Sequence, residues 1–348
     1  MTHQQDHALE VQQELMTLGV ITTDSQLISY DQIICGGSDC HIYELCFEKP
    51  IIKFIQKVFT GNEDNPWAEF EYSNLKILYE NNINVPQPYF LKLTPNTRDR
   101  PYLVMEKVDG PRLIDEKEAY PELYEHLTRK LVQELYKIHT LDPQLFPKIL
   151  LPNIQENPFA PIERKLERSK KYLGKYPEEL KELIPVHEWL EKNKTNYPCE
   201  KLAVVHGDYH SFNILVTEDK DFKILDWNDV VIGDFRMDVA YTATTESYTS
   251  KTQSSEDRMK RANQIVGIYE KISKNKVEGL HYFMILSSTF NRIRLYSMIN
   301  NPDITGENEE TVNFFKSVKD YFLFLADLVK ETCNIELNQI KEYFDLKE

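Results

Sequence analysis

HGDYHSFNILVTEDKDFKILDW, residues 206–227, is the stretch on which the fold turns. NILV and FKILD read as two short strands, and TEDKD between them carries the tight polar residues a hairpin needs. With the chain folded back after Val216, Asn213 at one end and Asp226 at the other become neighbours. An amide and a carboxylate that converge offer hard oxygen ligands, which suit Mg²⁺ completed by phosphate oxygens. Asp208 lies on the loop leading into the first strand, where it is placed to accept or orient the proton of an attacking hydroxyl. Positioning and charge neutralisation by metal are what phosphoryl transfer demands of a protein.

The protein kinase signature spaces a catalytic Asp and a metal-binding Asn in this way and follows them with a second metal-binding Asp. Here Gly rather than Arg follows His206, the stretch ends in Asp226-Trp227 rather than Asp-Phe-Gly, and no Ala-Pro-Glu segment comes after it. His206, Gly207, Asp208, Asn213, Asp226 and Trp227, continued by Gly233-Asp234 and Asp238-Val239-Ala240, instead resemble the aminoglycoside phosphotransferase and choline kinase-like family. That resemblance implies an ATP-dependent kinase of small molecules with Asp208 as catalytic base and with Asn213 and Asp226 holding Mg²⁺. It further implies that His206 holds the loop and that Asp238 buttresses it from below. His210 stands where protein kinases often place a Lys, which implies contact with the transferred phosphoryl group.

The first 110 residues offer an independent check. Short β-rich runs, LISYDQIICG, HIYELCF and PIIKFIQ, are followed by the helical pattern WAEFEYSNLKILY and by strands at 88–93 and 102–106. Between the first two runs lies Gly36-Gly37-Ser38, a turn whose backbone N–H groups could approach phosphates closely. It resembles the family's looser nucleotide loop. Lys53, flanked by Ile51, Ile52, Phe54 and Ile55, is a cation too surrounded by apolar residues to be an ordinary solvated one. The resemblance makes it the lysine for the ATP phosphates and gives it Glu71 as helical partner, with Glu69 as the lesser candidate. Residues 102–110, YLVMEKVDG, resemble the family's hinge, which implies adenine read near Glu106 and Val108 with Met105 as the gatekeeping apolar residue.

These readings add up to an α+β, bilobal protein kinase-like fold. A helical extension over 1–26 precedes a five-stranded nucleotide lobe with one helix over 27–110. A large, mainly helical lobe with the embedded catalytic hairpin follows over 111–348, with helical periodicity at 118–139, 160–173, 177–193, 256–273, 277–299 and 309–332. The formal charge of −15 opposes nucleic acid and anionic membranes as partners. Five cysteines without metal or disulfide spacing, a polar N-terminus and the lack of a long apolar run point to a reducing cytoplasm. Oligomeric state is not legible.

The resemblance places the acceptor, an amino sugar, amino alcohol or sugar-like molecule, against the helical lobe. Its candidate contacts are Trp227, Asn228, Asp229, Tyr241, Tyr282, Asn291 and Arg292. Asp229 suits an aminated acceptor, whereas Arg292 and Arg294 suit an anionic one, so the charge of the acceptor stays open. A protein kinase and a nucleotide-binding module without turnover are the rival readings.

Overall fold

The β-rich runs of the first hundred residues pair into one antiparallel sheet in the computed structural model, which describes residues 3–33, 40–59, 66–93, 100–247, 254–300 and 317–345. The strands are β1 (Gln26–Ile33), β2 (Cys40–Glu48), β3 (Ile52–Phe59), β4 (Pro88–Lys92) and β5 (Tyr102–Glu106), in the order β1-β2-β3-β5-β4. Strand side chains alternate between faces, and the two faces here have different neighbours. Leu45, Phe47, Phe54, Tyr102 and Val104 form one face and bury Val11 and Leu15 of helix α1 (His3–Thr17). The helix expected as an extension is therefore part of the core of the sheet. Lys57 lies on the other face and meets helix α2 (Pro66–Glu80), whose Ala68, Glu71, Leu75 and Leu78 form one buried stripe at helical spacing.

The chain divides into two compact units, Met1–Arg112 with Ile214–Asn228, and Leu113–Asn213 with Asp229–Glu348. The expected hairpin forms from β7 (Ile214–Val216) and β8 (Phe222–Ile224), with Ile214 opposite Ile224, and belongs to the sheet unit. It is tied there by Ile224 N donating to Asn84 O at 2.7 Å and Val216 N donating to Pro111 O at 2.9 Å. Gly110 permits this approach, because a Cβ at its positive φ of +148° would collide with the Val216 carbonyl.

The second unit is helical around one short pair of strands, β6 (Ala203–Val205) and β9 (Val231–Gly233). Its helices are α3 (Leu113–Ala119), α4 (Tyr124–His139), α5 (Ala160–Lys175), α6 (Ile184–Asn193), α7 (Phe235–Glu246), α8 (Ser255–Ser273), α9 (Leu280–Ser287), α10 (Thr289–Asn300), α11 (Lys319–Cys333) and α12 (Asn338–Asp345). The helix expected over 177–193 begins only at Ile184, and two other expected helices are broken. The one over 118–139 is interrupted at Pro121, which lacks an N–H and pushes Tyr120 out of helical geometry. That over 277–299 is split at Ser288. The expected segment 309–316 lies outside the described residues. Helix α7 is buried on all sides and begins at Asp234, whose carboxylate caps it by accepting from Arg236 N at 3.0 Å. Among the described residues no helix is long and apolar enough to cross a membrane.

Candidate active site

In the helical unit the candidate catalytic loop runs from the end of β6 to Asn213 and is held from two sides. Gly207 has φ +89°, and a Cβ there would lie 2.5 Å from the Asp229 carbonyl, so only glycine fits. Beneath the loop, the carboxylate of Asp238 accepts from His206 N at 2.6 Å and from Gly207 N at 2.8 Å. His139 stands 3.3 Å from the same carboxylate, with its other ring nitrogen 2.8 Å from the Tyr269 hydroxyl. Burial would raise the Asp238 pKa, but His139, His206 and the loop N–H groups outweigh it and keep the group ionised. The buttress expected of Asp238 is thus two backbone hydrogen bonds.

A second, unforeseen anchor holds the far end of the loop. Glu246 accepts from Ser211 N at 2.7 Å and Ser211 Oγ at 2.8 Å, and its ion pair with Lys117 is 2.6 Å long. Both charged side chains are about 1% exposed. A buried pair broken on one side leaves an uncompensated charge. Lys117→Met is therefore expected to cost about 3–5 kcal/mol in urea unfolding. Combining it with Glu246→Gln, which keeps an acceptor for Ser211, should restore most of that. No local pattern in the sequence joins residues 129 positions apart.

On this frame the loop presents Asp208. Tyr241 donates its hydroxyl to Oδ1 at 2.6 Å, Asn213 donates Nδ2 to Oδ2 at 2.9 Å, and His210 Nε2 lies 3.2 Å from Oδ1. Burial would push the Asp208 pKa up, but His210, Tyr241 and His206 hold it well below the usual carboxylate range. A carboxylate so stabilised is a weak base. It suits orienting a hydroxyl and receiving its proton late, as a loose phosphoryl-transfer transition state requires. Because Asn213 turns its amide nitrogen toward Asp208, its Oδ1 faces away and remains an oxygen donor with no partner among the described residues.

In the sheet unit the buried lysine–glutamate pair is made by Lys57 rather than Lys53. Lys57 Nζ lies 2.8 Å and 2.9 Å from the two carboxylate oxygens of Glu71, and both residues are buried. Burial works against the ammonium, but Glu71 and Asp226 keep its pKa raised. Lys53 instead pairs with Glu44 at 2.9 Å and is half exposed. The partner expected for Lys53 is thus corrected. The strand does not stop at Gln56 but runs to Phe59, since Gln56 is buried with its amide oxygen accepting from the Tyr30 hydroxyl at 2.7 Å. Apolar residues continuing through Val58 and Phe59 were the signal for the longer strand. Glu69, the lesser candidate, is exposed.

Asp226 adopts φ +62°, a strained conformation for a non-glycine residue of the kind that collects at functional sites. Asn228 donates Nδ2 to Asp226 Oδ1 at 2.6 Å and presents its Oδ1 to Lys57 Nζ at 3.5 Å. Met105 pairs with Ile55 across the sheet and so shares the face of Lys57. Val108 is buried, and Glu106 is engaged structurally, accepting from Gln87 N at 3.0 Å and from Lys223 Nζ at 2.9 Å. Gly36, Gly37 and Ser38 lie outside the described residues.

The acceptor candidates separate. Tyr241 touches Asp208, and Asp229 covers Gly207 and binds Arg168 at 2.9 Å. Trp227 and Arg292 are fully buried. The indole of Trp227 donates to Ile224 O at 3.1 Å, and the guanidinium of Arg292 donates to Ile285 O and Thr289 Oγ1 inside the helical packing.

Residues 53–272 match the phosphotransferase enzyme family, and the chain belongs to it. It thereby stands among enzymes that transfer phosphoryl groups to small molecules. No curated protein matches the sequence. Among solved structures, a Ralstonia eutropha protein provisionally named an aminoglycoside phosphotransferase superposes with TM-score 0.70 at 17% identity, covering 94% of this chain and 98% of its own. The choline kinase LicA from Streptococcus pneumoniae gives 0.59 at 15% identity, covering 92% and 98%. A Plasmodium vivax ethanolamine kinase gives 0.57 at 13%, covering 93% and 88%. At such identities the likeness is one of fold, the α+β protein kinase-like fold.

Proposed function

We propose that the chain transfers the γ-phosphoryl group of Mg-ATP to a hydroxyl of a small molecule. The observation that carries this is Asp208, an ionised carboxylate aimed by three side chains on a loop that Asp238 clamps through its backbone. In this reading Asp208 orients the acceptor hydroxyl and takes up its proton. His210 Nε2, beside Asp208 Oδ1, is the group assigned to steady the transferred phosphoryl oxygens. Lys57, held by Glu71, is assigned to the ATP phosphates in place of Lys53, and Met105 and Val108 to the adenine.

Mg²⁺ fits the residues offered to it. Asn213 keeps an amide oxygen uncommitted and Asp226 supplies a carboxylate. Few protein ligands with the rest supplied by phosphate is the usual way Mg²⁺ is bound. Bound there, the ion would neutralise charge on the phosphates. The test is ADP formation from Mg-ATP with hydroxylated small molecules added singly. Dependence on both Mg²⁺ and acceptor is expected. ATP binding with a rate indifferent to every acceptor would favour a nucleotide-binding module instead.

A further inference from the structure

Helix α5 is strongly basic in an acidic protein. Its 16 residues carry six basic side chains against two acidic ones, Glu163 and Glu167, whereas the whole chain has a formal charge of −15. One edge of this helix lies at the catalytic loop. Arg168 bonds Asp229, whose carbonyl covers Gly207 beside Asp208, and its guanidinium stacks on Phe290 with 4.6 Å to the ring centroid. Asn291, next along α10, approaches the Tyr241 hydroxyl at 3.5 Å, and that hydroxyl returns to Asp208. Contacts thus run in a closed circuit from Asp208 through Tyr241, α10, Arg168 and Asp229 back to the loop.

Lys165 lies one turn before Arg168 on α5, half-buried, and its ammonium makes no hydrogen bond or ion pair among the described residues. Burial pulls its pKa below the ordinary lysine value, against the opposing pull of Asp229 and, more weakly, Asp238 and Asp208. Asp229, the carboxylate that would have greeted an amine, is already neutralised by Arg168. Arg292, the cation that would have greeted an anion, is enclosed. Besides the Asp208 carboxylate that would meet its hydroxyl, what this circuit offers an incoming acceptor is the ammonium of Lys165, which a cationic group would meet as a like charge.

Resting on the phosphotransferase reading, we propose that the acceptor is a hydroxylated anion whose carboxylate or phosphate is bound by Lys165, with Arg168 beside it, while its hydroxyl meets Asp208. A charge-assisted pair of this kind fixes the orientation of the acceptor as well as its affinity. Lys165 is then a specificity-determining residue that does not take part in the transfer.

The test offers the full-length protein and Mg-ATP two sets of acceptors. One is anionic (D-gluconate, D-glycerate, glycerol 3-phosphate) and the other cationic (ethanolamine, choline, kanamycin). ADP is expected with a member of the anionic set. Lys165→Gln should raise the KM of that acceptor about tenfold with kcat changed less than about twofold, and Lys165→Arg should retain most of the affinity. Turnover of the cationic set alone overturns the proposal. So does a fall in kcat at unchanged KM, which would put Lys165 on the transferred group. Silence with both sets counts against the phosphotransferase reading and is separated by a measurement needing no turnover, acetylation by acetic anhydride mapped by mass spectrometry. Protection of Lys165, but not of exposed Lys171, by D-gluconate or glycerol 3-phosphate upholds the anion site. Equal acetylation with and without these anions removes it.

Discussion

Asp208→Ala is expected to lower kcat by about a thousandfold, within the range lost when a positioned acid–base group is removed, while Mg-ATP affinity by calorimetry stays near that of the native protein. The two quantities separate because Asp208 belongs to the helical unit and its three polar contacts, Tyr241, Asn213 and His210, all lie there. None of them is part of the Lys57–Glu71 pair. The substitution also strips the buried Tyr241 hydroxyl of its acceptor, at a cost of about 1–3 kcal/mol, so folding must be checked by thermal unfolding. Asp208→Asn preserves the shape and an acceptor oxygen for Tyr241 while removing the charge. Loss of turnover in both variants, with the Asn form folded normally, places the effect on chemistry. A native rate in either folded variant would remove Asp208 from the reaction.

Lys57→Met and Lys53→Met should behave oppositely. Lys57→Met leaves the Glu71 carboxyl group buried beneath the sheet without its cation, which is expected to cost about 3–5 kcal/mol in urea unfolding and to weaken Mg-ATP binding. Adding Glu71→Leu should recover much of the stability, since an apolar pair is tolerated where a lone charge is not. It should not recover ATP affinity, and that asymmetry distinguishes a phosphate contact from a structural prop. Lys53→Met removes only a half-exposed pair with Glu44, and both the unfolding midpoint and ATP affinity should hold. A loss of ATP affinity in Lys53→Met with none in Lys57→Met would restore the assignment that the sequence alone favoured.

These two lysines mark where the sequence is legible and where it stops. The loop at 206–213, the hairpin and the five strands could be read because each is coded locally, by turn residues or by alternation over a few positions. Lys53 and Lys57 lie on the same face of one strand, four residues apart, and the apolar flanks of Lys53 make it the one that local texture favours. The choice is made by where α2 brings Glu71, a tertiary fact. The strand was also read too short, ending at Gln56, which is buried through a bond to Tyr30 while the strand continues to Phe59. Lys117 and Glu246, or Arg168 and Asp229, pair across long stretches of chain and leave no mark in any short window. The sealing of the sheet by α1 was likewise hidden, since Val11 and Leu15 have the texture of any short amphipathic helix. The break at Pro121 was legible and is the reverse case, a local rule outweighed in the reading by the periodicity around it.

The route of the chain has a consequence for how it emerges from the ribosome. It leaves the sheet unit at Arg112, returns at Ile214 and departs again after Asn228. When the five strands have been synthesised, the carbonyls of Asn84 and Pro111 and the carboxylate of Glu106 still lack the partners that Ile224, Val216 and Lys223 will bring. Vectorial synthesis therefore cannot finish the first unit before the stretch Leu113–Asn213 of the second has been made. Expression of the first 112 residues alone would yield a sheet missing its hairpin, and supplying 214–228 as a separate peptide is the fragment complementation that the topology invites.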